Sequence, residues 1–206
     1  MWDQITEPAD PLHVEAVVEL ALDVQPRCGS TAVVAIDGRS GAGKTTLAHG
    51  VAADLTSYGT VEVVHMDRLY PGWDGLAESS RILATHVLDP ISRASTAAYA
   101  CWDWDAGGWG ETVTVQPTDF LVVEGAGSSV GPARTHAAVC VFVDADETLR
   151  RQRGLARDGE AYRPHWHRWA RQEEAVFRAD DTKARADLVI DTTAAGAPSA
   201  RAGRST

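Results

Sequence analysis

Residues 11–24 (PLHVEAVVELALDV) place apolar side chains at helical spacing with acids between them, which predicts a leading helix closed by Gly29 and Ser30. TAVVAID (31–37) is a short, β-branched apolar run and predicts a buried strand. A glycine-rich turn follows, and TTLAHGVAADL (45–55) then resumes a helical period. TVEVVHM (60–66), FLVVEG (120–125), AAVCVFVDAD (137–146) and ADLVIDT (186–192) supply four more strands. Residues 67–118 are less regular: a helical patch at 75–91 is broken at Pro90, and a Trp/Gly/Asp stretch (AYACWDWDAGGWGE, 98–111) follows it. Residues 147–185 read as helical and Arg-rich, and 194–206 as a small, polar, flexible tail. Short apolar strands alternating with helices predict an α/β domain, its parallel sheet covered by helices on both faces.

Composition narrows the classes. At 206 residues, with 44% hydrophobic and 23% charged residues, the chain suits one globular domain. A net charge of −10 argues against electrostatic nucleic-acid binding. No apolar run approaches the ~18 residues of a membrane span, and the acidic start MWDQITEPADP lacks the apolar core of a secretory signal. Three scattered cysteines make no disulfide framework; Cys101 and Cys140 read as small buried hydrophobes. The expectation is a cytoplasmic protein without a membrane or nucleic-acid partner, its oligomeric state left open.

The sharpest local pattern is GRSGAGKT, Gly38 to Thr45, which fits G-x-x-x-x-G-K-[ST] between a strand and a helix. A polyphosphate needs many donors without side-chain bulk, and glycines at 38, 41 and 43 let backbone N–H groups curl inward as an anion nest. The next helix points its N-terminus at the same anion. Lys44 can reach the terminal phosphates, and the Thr45 hydroxyl can ligate Mg²⁺. Lys44 and Lys183 are the chain's only lysines, so one of two falls at the functional position. The nucleotide-binding set is therefore Gly38, Arg39, Ser40, Gly41, Ala42, Gly43, Lys44, Thr45 and Thr46.

AIDGRSGAGKTTLA, followed by VVHMDRLY, FLVVEG and an Arg-rich helical segment, resembles the uridine kinase-like group of P-loop kinases over residues 31–192. That resemblance implies a P-loop NTPase three-layer sandwich with a five-stranded, mostly parallel sheet. It implies one domain over residues 1–193 with an arginine lid at about 150–171. ATP with Mg²⁺ is the implied donor, and a small metabolite carrying a hydroxyl the implied acceptor. Asp67, in Asp67-Arg68-Leu69-Tyr70, matches the group's catalytic base, the alternative being a capping or water-orienting carboxylate. Glu124, followed by Gly125, matches the strand-end acid beside the metal. Seven arginines (150, 151, 153, 157, 163, 168 and 171) reverse the local charge, and Arg153 and Arg157 of R-G-L-A-R-D match lid residues gripping phosphate.

Kinases of this group build the acceptor pocket between the second and third strands. There Tyr70, Trp102 and Asp103 are the candidate contacts, against the plainer reading of Trp and Tyr as core cover. The insertion GGWGE (107–111) departs from uridine kinases proper. His165-x-His167 does not suit zinc, because residues two apart on a helix do not share a face. A GTPase is disfavoured because the chain contains no Asn for an N-K-x-D guanine motif. A nucleoside monophosphate kinase and a regulatory P-loop ATPase stay as alternatives. The first would call for arginine rather than Asp67 and Asp103 around its acceptor, and the second for a longer chain.

Overall fold

The computed structural model describes residues 8–194 and 199–200. In chain order the elements are α1 (Pro11–Asp23), β1 (Ala32–Gly38), α2 (Lys44–Leu55), β2 (Val61–His65) and α3 (Leu76–Leu83). Next come α4 (Asp89–Ser92), β3 (Ala97–Asp103), β4 (Gly108–Val115), β5 (Phe120–Glu124), α5 (Ala133–His136) and β6 (Ala137–Asp144). The chain continues through α6 (Glu147–Tyr162), α7 (Trp166–Asp180), β7 (Leu188–Asp191) and β8 (Ser199–Ala200).

The main sheet runs β2-β5-β1-β6-β7-β8, the first five strands parallel and β8 antiparallel to β7. Every residue of β1 and β5 is buried, which is why both read as unbroken apolar runs rather than alternating ones. One face of the sheet packs Val34, Ile36, Val122 and Val141 against Val17, Leu47 and Val51 of α1 and α2. The other packs Val33, Leu121 and Phe142 against Leu76, Leu83 and Phe177 of α3 and α7. Helices cover both faces as the alternation required, and the five predicted strands are all present.

Three local expectations change. The helical patch does not stop at Pro90. The chain passes from α3 through one π-turn, Ala84–Leu88, into α4, with Pro90 in the first turn of α4. The wider turn accommodates the proline's missing N–H, and Val87 and Leu88 stay in the core. The Trp/Gly/Asp stretch is an antiparallel hairpin, β3–β4, in which Trp102 opposes Trp109. Its inward residues Ala97, Tyr99 and Cys101 do keep a period of two. Within the expected tail, Ser199–Ala200 pair with β7, while 195–198 and 201–206 lie outside the described residues. Among the described residues no helix is long and apolar enough to cross a membrane.

Candidate active site

The strand-to-helix turn after β1 has the backbone of a phosphate cradle. Gly38, Gly41 and Gly43 have φ of 137°, 77° and 94°, a region L side chains rarely adopt. A Cβ at Gly38 would fall on the Val143 carbonyl, and one at Gly41 on the Arg150 carbonyl. No side chain caps α2 at Gly43, so its first-turn N–H groups are left for an anion. Lys44 Nζ donates to the Arg39 carbonyl at 3.0 Å across the loop. Burial lowers its pKa, while Glu173 and Glu124 oppose that shift. Thr192, just beyond β7, donates to the Ala42 carbonyl at 2.9 Å. Arg153 in turn donates to the Thr192 hydroxyl at 3.0 Å, so Arg153 reaches the loop through this threonine.

Parallel pairing brings the strand-end acids to the same edge. His65 of β2 lies in register with Glu124 of β5, which lies beside Ile36 of β1. Glu124 is 5% exposed. Its Oε2 accepts the Thr45 hydroxyl at 3.2 Å, and its Oε1 lies 2.7 Å from His65 Nδ1. Asp67 sits in the 3-10 turn Met66–Arg68 that leaves β2, its carbonyl fixed by Trp104 Nε1 at 3.0 Å. Its Oδ1 is buried without a hydrogen-bond partner in the protein. Burial first, and the nearby Glu124 second, push the Asp67 pKa up to about 6.

The arginine-rich segment supplies α6, capped by Asp146, whose Oδ1 accepts from Thr148 and Leu149 N–H at 2.9 and 3.2 Å. Gly159, at φ 66°, breaks the helix immediately after the R-G-L-A-R-D run. Arg157 lines the cleft, and its guanidinium clasps Asp158 through two bonds of 2.6 and 2.8 Å.

Two buried carboxylates escaped the motif reading. Asp37, fully buried, accepts from Gly38, Gly127 and Ser129 N–H at 2.7, 2.8 and 2.8 Å, and from the Ser129 hydroxyl at 2.9 Å. It ties the base of the phosphate loop to the turn that follows Glu124. Glu173 of α7, 1% exposed, accepts the Ser40 N–H and hydroxyl at 2.7 Å each and Trp169 Nε1 at 3.0 Å. Beside it, Arg39 pairs with Glu174 at 2.5 Å, so α7 fastens the outer limb of the loop twice. For Asp37 the available signal was an acid inside an otherwise apolar strand.

The cleft collects Ser40, Lys44, Thr45, Asp67, Glu124 and Arg157 with Tyr70, Trp73, Trp104, Tyr162 and Trp169. Trp102 and Asp103 are not among its lining residues. Trp102 meets Trp109 edge-on across the hairpin. Asp103 accepts the N–H groups of Asp105 and Ala106, each at 2.9 Å, within its own turn. Trp73, Trp104 and Trp169 line the cleft instead, drawn from three separate segments. His165 stacks flat on Trp73, with ring centroids 4.2 Å apart.

The donor set fits a nucleoside triphosphate with a hard divalent cation. A Cβ at Gly38 or Gly41 would strike a backbone carbonyl, so the turn stays free of side-chain bulk there, and the Thr45 hydroxyl and Glu124 carboxylate are the oxygen ligands Mg²⁺ prefers. Among the described residues no group of three or more His, Cys, Asp or Glu side chains could hold a metal by itself. Thr45 and Glu124 would therefore share the ion with phosphate oxygens.

A strand, a glycine cradle, a helix N-terminus and a buried acid on the neighbouring strand define a P-loop nucleotide-binding protein of α/β class. No family model matches the chain. It is 27% identical to the uridine kinase of Macrococcus caseolyticus over 145 residues, 63% of this chain and 70% of that one. The solved structure of a "possible uridine kinase" from Bacillus stearothermophilus superposes with a TM-score of 0.65 at 20% identity, covering 87% of this chain and 97% of that one. D-glycerate 3-kinase from Cryptococcus neoformans gives 0.56 at 13% identity, covering 92% and 97%. The architecture is that of the uridine kinase-like P-loop kinases, and the sequence is similar to theirs. Together they support a small-molecule kinase.

Proposed function

We propose that the protein transfers the γ-phosphoryl group of ATP·Mg²⁺ to a hydroxyl of a small acceptor. The observation that carries this reading is the buried, unpartnered Oδ1 of Asp67, in one cleft with Lys44 and Thr45. An acceptor hydroxyl supplies the hydrogen bond that this oxygen lacks.

Each residue then has a task. Backbone N–H groups between Gly38 and Thr46 bind the phosphates, and Lys44 neutralises the terminal ones. Thr45 and Glu124 would hold Mg²⁺, which would spread the charge of the phosphate oxygens. Asp67 aligns the acceptor and takes its proton as the oxygen–phosphorus bond forms and the β,γ-bridging bond breaks, releasing ADP. Arg157, which lines the cleft, offers its guanidinium to the phosphates and limits water access, while Arg153 braces the loop through Thr192. A carboxyl at about 6 is ionised at neutral pH yet basic enough to accept a proton.

The test is acceptor-dependent ADP release over a set of small hydroxyl compounds, run on the native chain and on Lys44→Ala. Native protein releases ADP faster with at least one acceptor, and the folded variant does not. ADP release indifferent to every acceptor would instead favour a regulatory ATPase. Stimulation only by nucleoside monophosphates would favour a monophosphate kinase.

A further inference from the structure

The three bonds that reach Glu173 end on one atom. The Ser40 N–H and the Ser40 hydroxyl, each at 2.7 Å, and Trp169 Nε1, at 3.0 Å, all donate to Oε1. A carboxylate oxygen presents two lone pairs, so these three donors share what suffices for two. Glu173 is 1% exposed, and bulk water does not relieve the crowding. The Trp169 bond is the longest of the three.

The donors belong to opposite sides of the cleft. Ser40 stands in the phosphate loop, and its side chain is also hydrogen-bonded to Tyr162 at the end of α6. Trp169 meets Tyr70 edge-on, with ring centroids 4.7 Å apart, and Trp73 at 6.3 Å. Ser40, Tyr70, Trp73 and Trp169 all line the cleft.

A loop that binds phosphate offers its N–H groups to the anion, and here the Ser40 N–H is already engaged by a carboxylate. Phosphate oxygens that draw on this N–H withdraw one donor from Oε1. The Trp169 N–H, left with fewer rivals, then closes on the same oxygen. The converse follows by linkage: when Trp169 is pulled from Oε1, the carboxylate holds the Ser40 N–H more firmly against a phosphate.

We infer that Glu173 is a positioning residue that couples the two sides of the cleft, so that nucleotide in the phosphate loop draws the Trp169 indole inward and displacement of Trp169 weakens the hold on nucleotide. This rests on the nucleotide site of the kinase reading. It adds a route by which a compound packed on Trp169 and a nucleotide on the loop alter each other's affinity.

The test follows the indole N–H signals of isotope-labelled protein, together with ADP·Mg²⁺ affinity by calorimetry. Among the seven Trp, the Trp169 signal is the one that Trp169→Phe removes. Ser40→Ala takes one donor from Oε1 and, before any nucleotide is added, should move the Trp169 indole proton downfield, as a closer hydrogen bond does. Saturating ADP·Mg²⁺ should move the native signal the same way, and the Ser40→Ala signal less far. Trp169→Phe should lower ADP·Mg²⁺ affinity about fivefold in the native background and less than about twofold in Ser40→Ala. A carboxylate that merely fastens α7 to the loop predicts no such coupling. A Trp169 signal unmoved by Ser40→Ala, or equal losses of affinity in the two backgrounds, would overturn the inference while leaving a nucleotide-binding protein. No measurable ADP·Mg²⁺ binding to the native chain would overturn the kinase reading with it.

Discussion

Asp67→Asn should make the protein more stable at alkaline pH and nearly inactive, and the two effects share one cause. The Asp67 carboxyl sits at about 6 rather than 3.8, mainly because it is buried. Holding it ionised inside the fold therefore costs about 3 kcal/mol at pH 8. The sign follows from the raised value. Below 3.8 the group is protonated folded and unfolded, and no penalty exists. As pH rises the unfolded chain ionises first, and stability falls until the folded carboxyl also ionises near 6. The penalty works out to roughly 0.5 kcal/mol at pH 4, 1.5 at pH 5 and 3 above pH 7. Asn has the same shape and no charge, so its advantage over wild type should grow by about 2.5 kcal/mol between pH 4 and pH 8. Urea unfolding of both proteins across that range measures the growth, and any constant offset from imperfect isostery cancels. Single-turnover ADP formation from the same samples should fall by ~10²-fold or more. A stability difference flat within 1 kcal/mol would refute the assignment of a desolvated base, whatever happened to the rate.

Other perturbations probe the frame around that base. The acceptor-dependent rate of the native enzyme should fall as pH drops through about 6, following protonation of Asp67, and Asp67→Asn should lose that limb in a pH–rate profile. Glu173→Ala strands the Ser40 N–H, the Ser40 hydroxyl and Trp169 Nε1, and should cost about 3–5 kcal/mol, seen as a melting-temperature drop of ~10 °C. Glu173→Gln keeps an acceptor oxygen and sheds the cost of burying charge, so unfolding should place it within ~1 kcal/mol of wild type. Gly41→Ala adds a Cβ against the Arg150 carbonyl at a φ of 77°, and ADP affinity by calorimetry should fall at least ~10-fold as the loop shifts.

The parts of this molecule legible from sequence are those whose cause is local. The phosphate loop is a run of eight residues whose glycines and lysine act where they stand, so spacing sufficed. β1, β5 and β6 are buried almost throughout, and a parallel strand covered on both faces advertises itself as an apolar run. The hairpin β3–β4 was harder. Its inward positions alternate, but β4 is mostly exposed, so half of the pair carries little apolar signal. Asp103 looked like a pocket residue because it stands between two tryptophans. Its position is set instead by the hairpin turn, whose N–H groups at 105 and 106 it accepts.

The residues that escaped notice share a different property. Glu173 reaches Ser40 across 133 positions of sequence, and Asp37 reaches Ser129 across 92. Neither pairing leaves a periodicity, and in a chain of net charge −10 an acid is an unremarked residue. Yet these long-range contacts hold the loop that the motif announces. Asp37 binds its base to the turn after Glu124, while Glu173 binds its outer limb to α7. The phosphate cradle is thus joined to α7 and to the turn after β5 through buried carboxylates, each satisfied by several donors. The Trp169 indole extends the second junction to the cleft, since it lines the cleft on one side and donates to Glu173 on the other. A change at the Trp169 ring would consequently be felt at Ser40 through a single intervening side chain, Glu173. Local motifs mark where the chemistry lies, and the geometry that makes it work depends on a carboxylate that no motif contains.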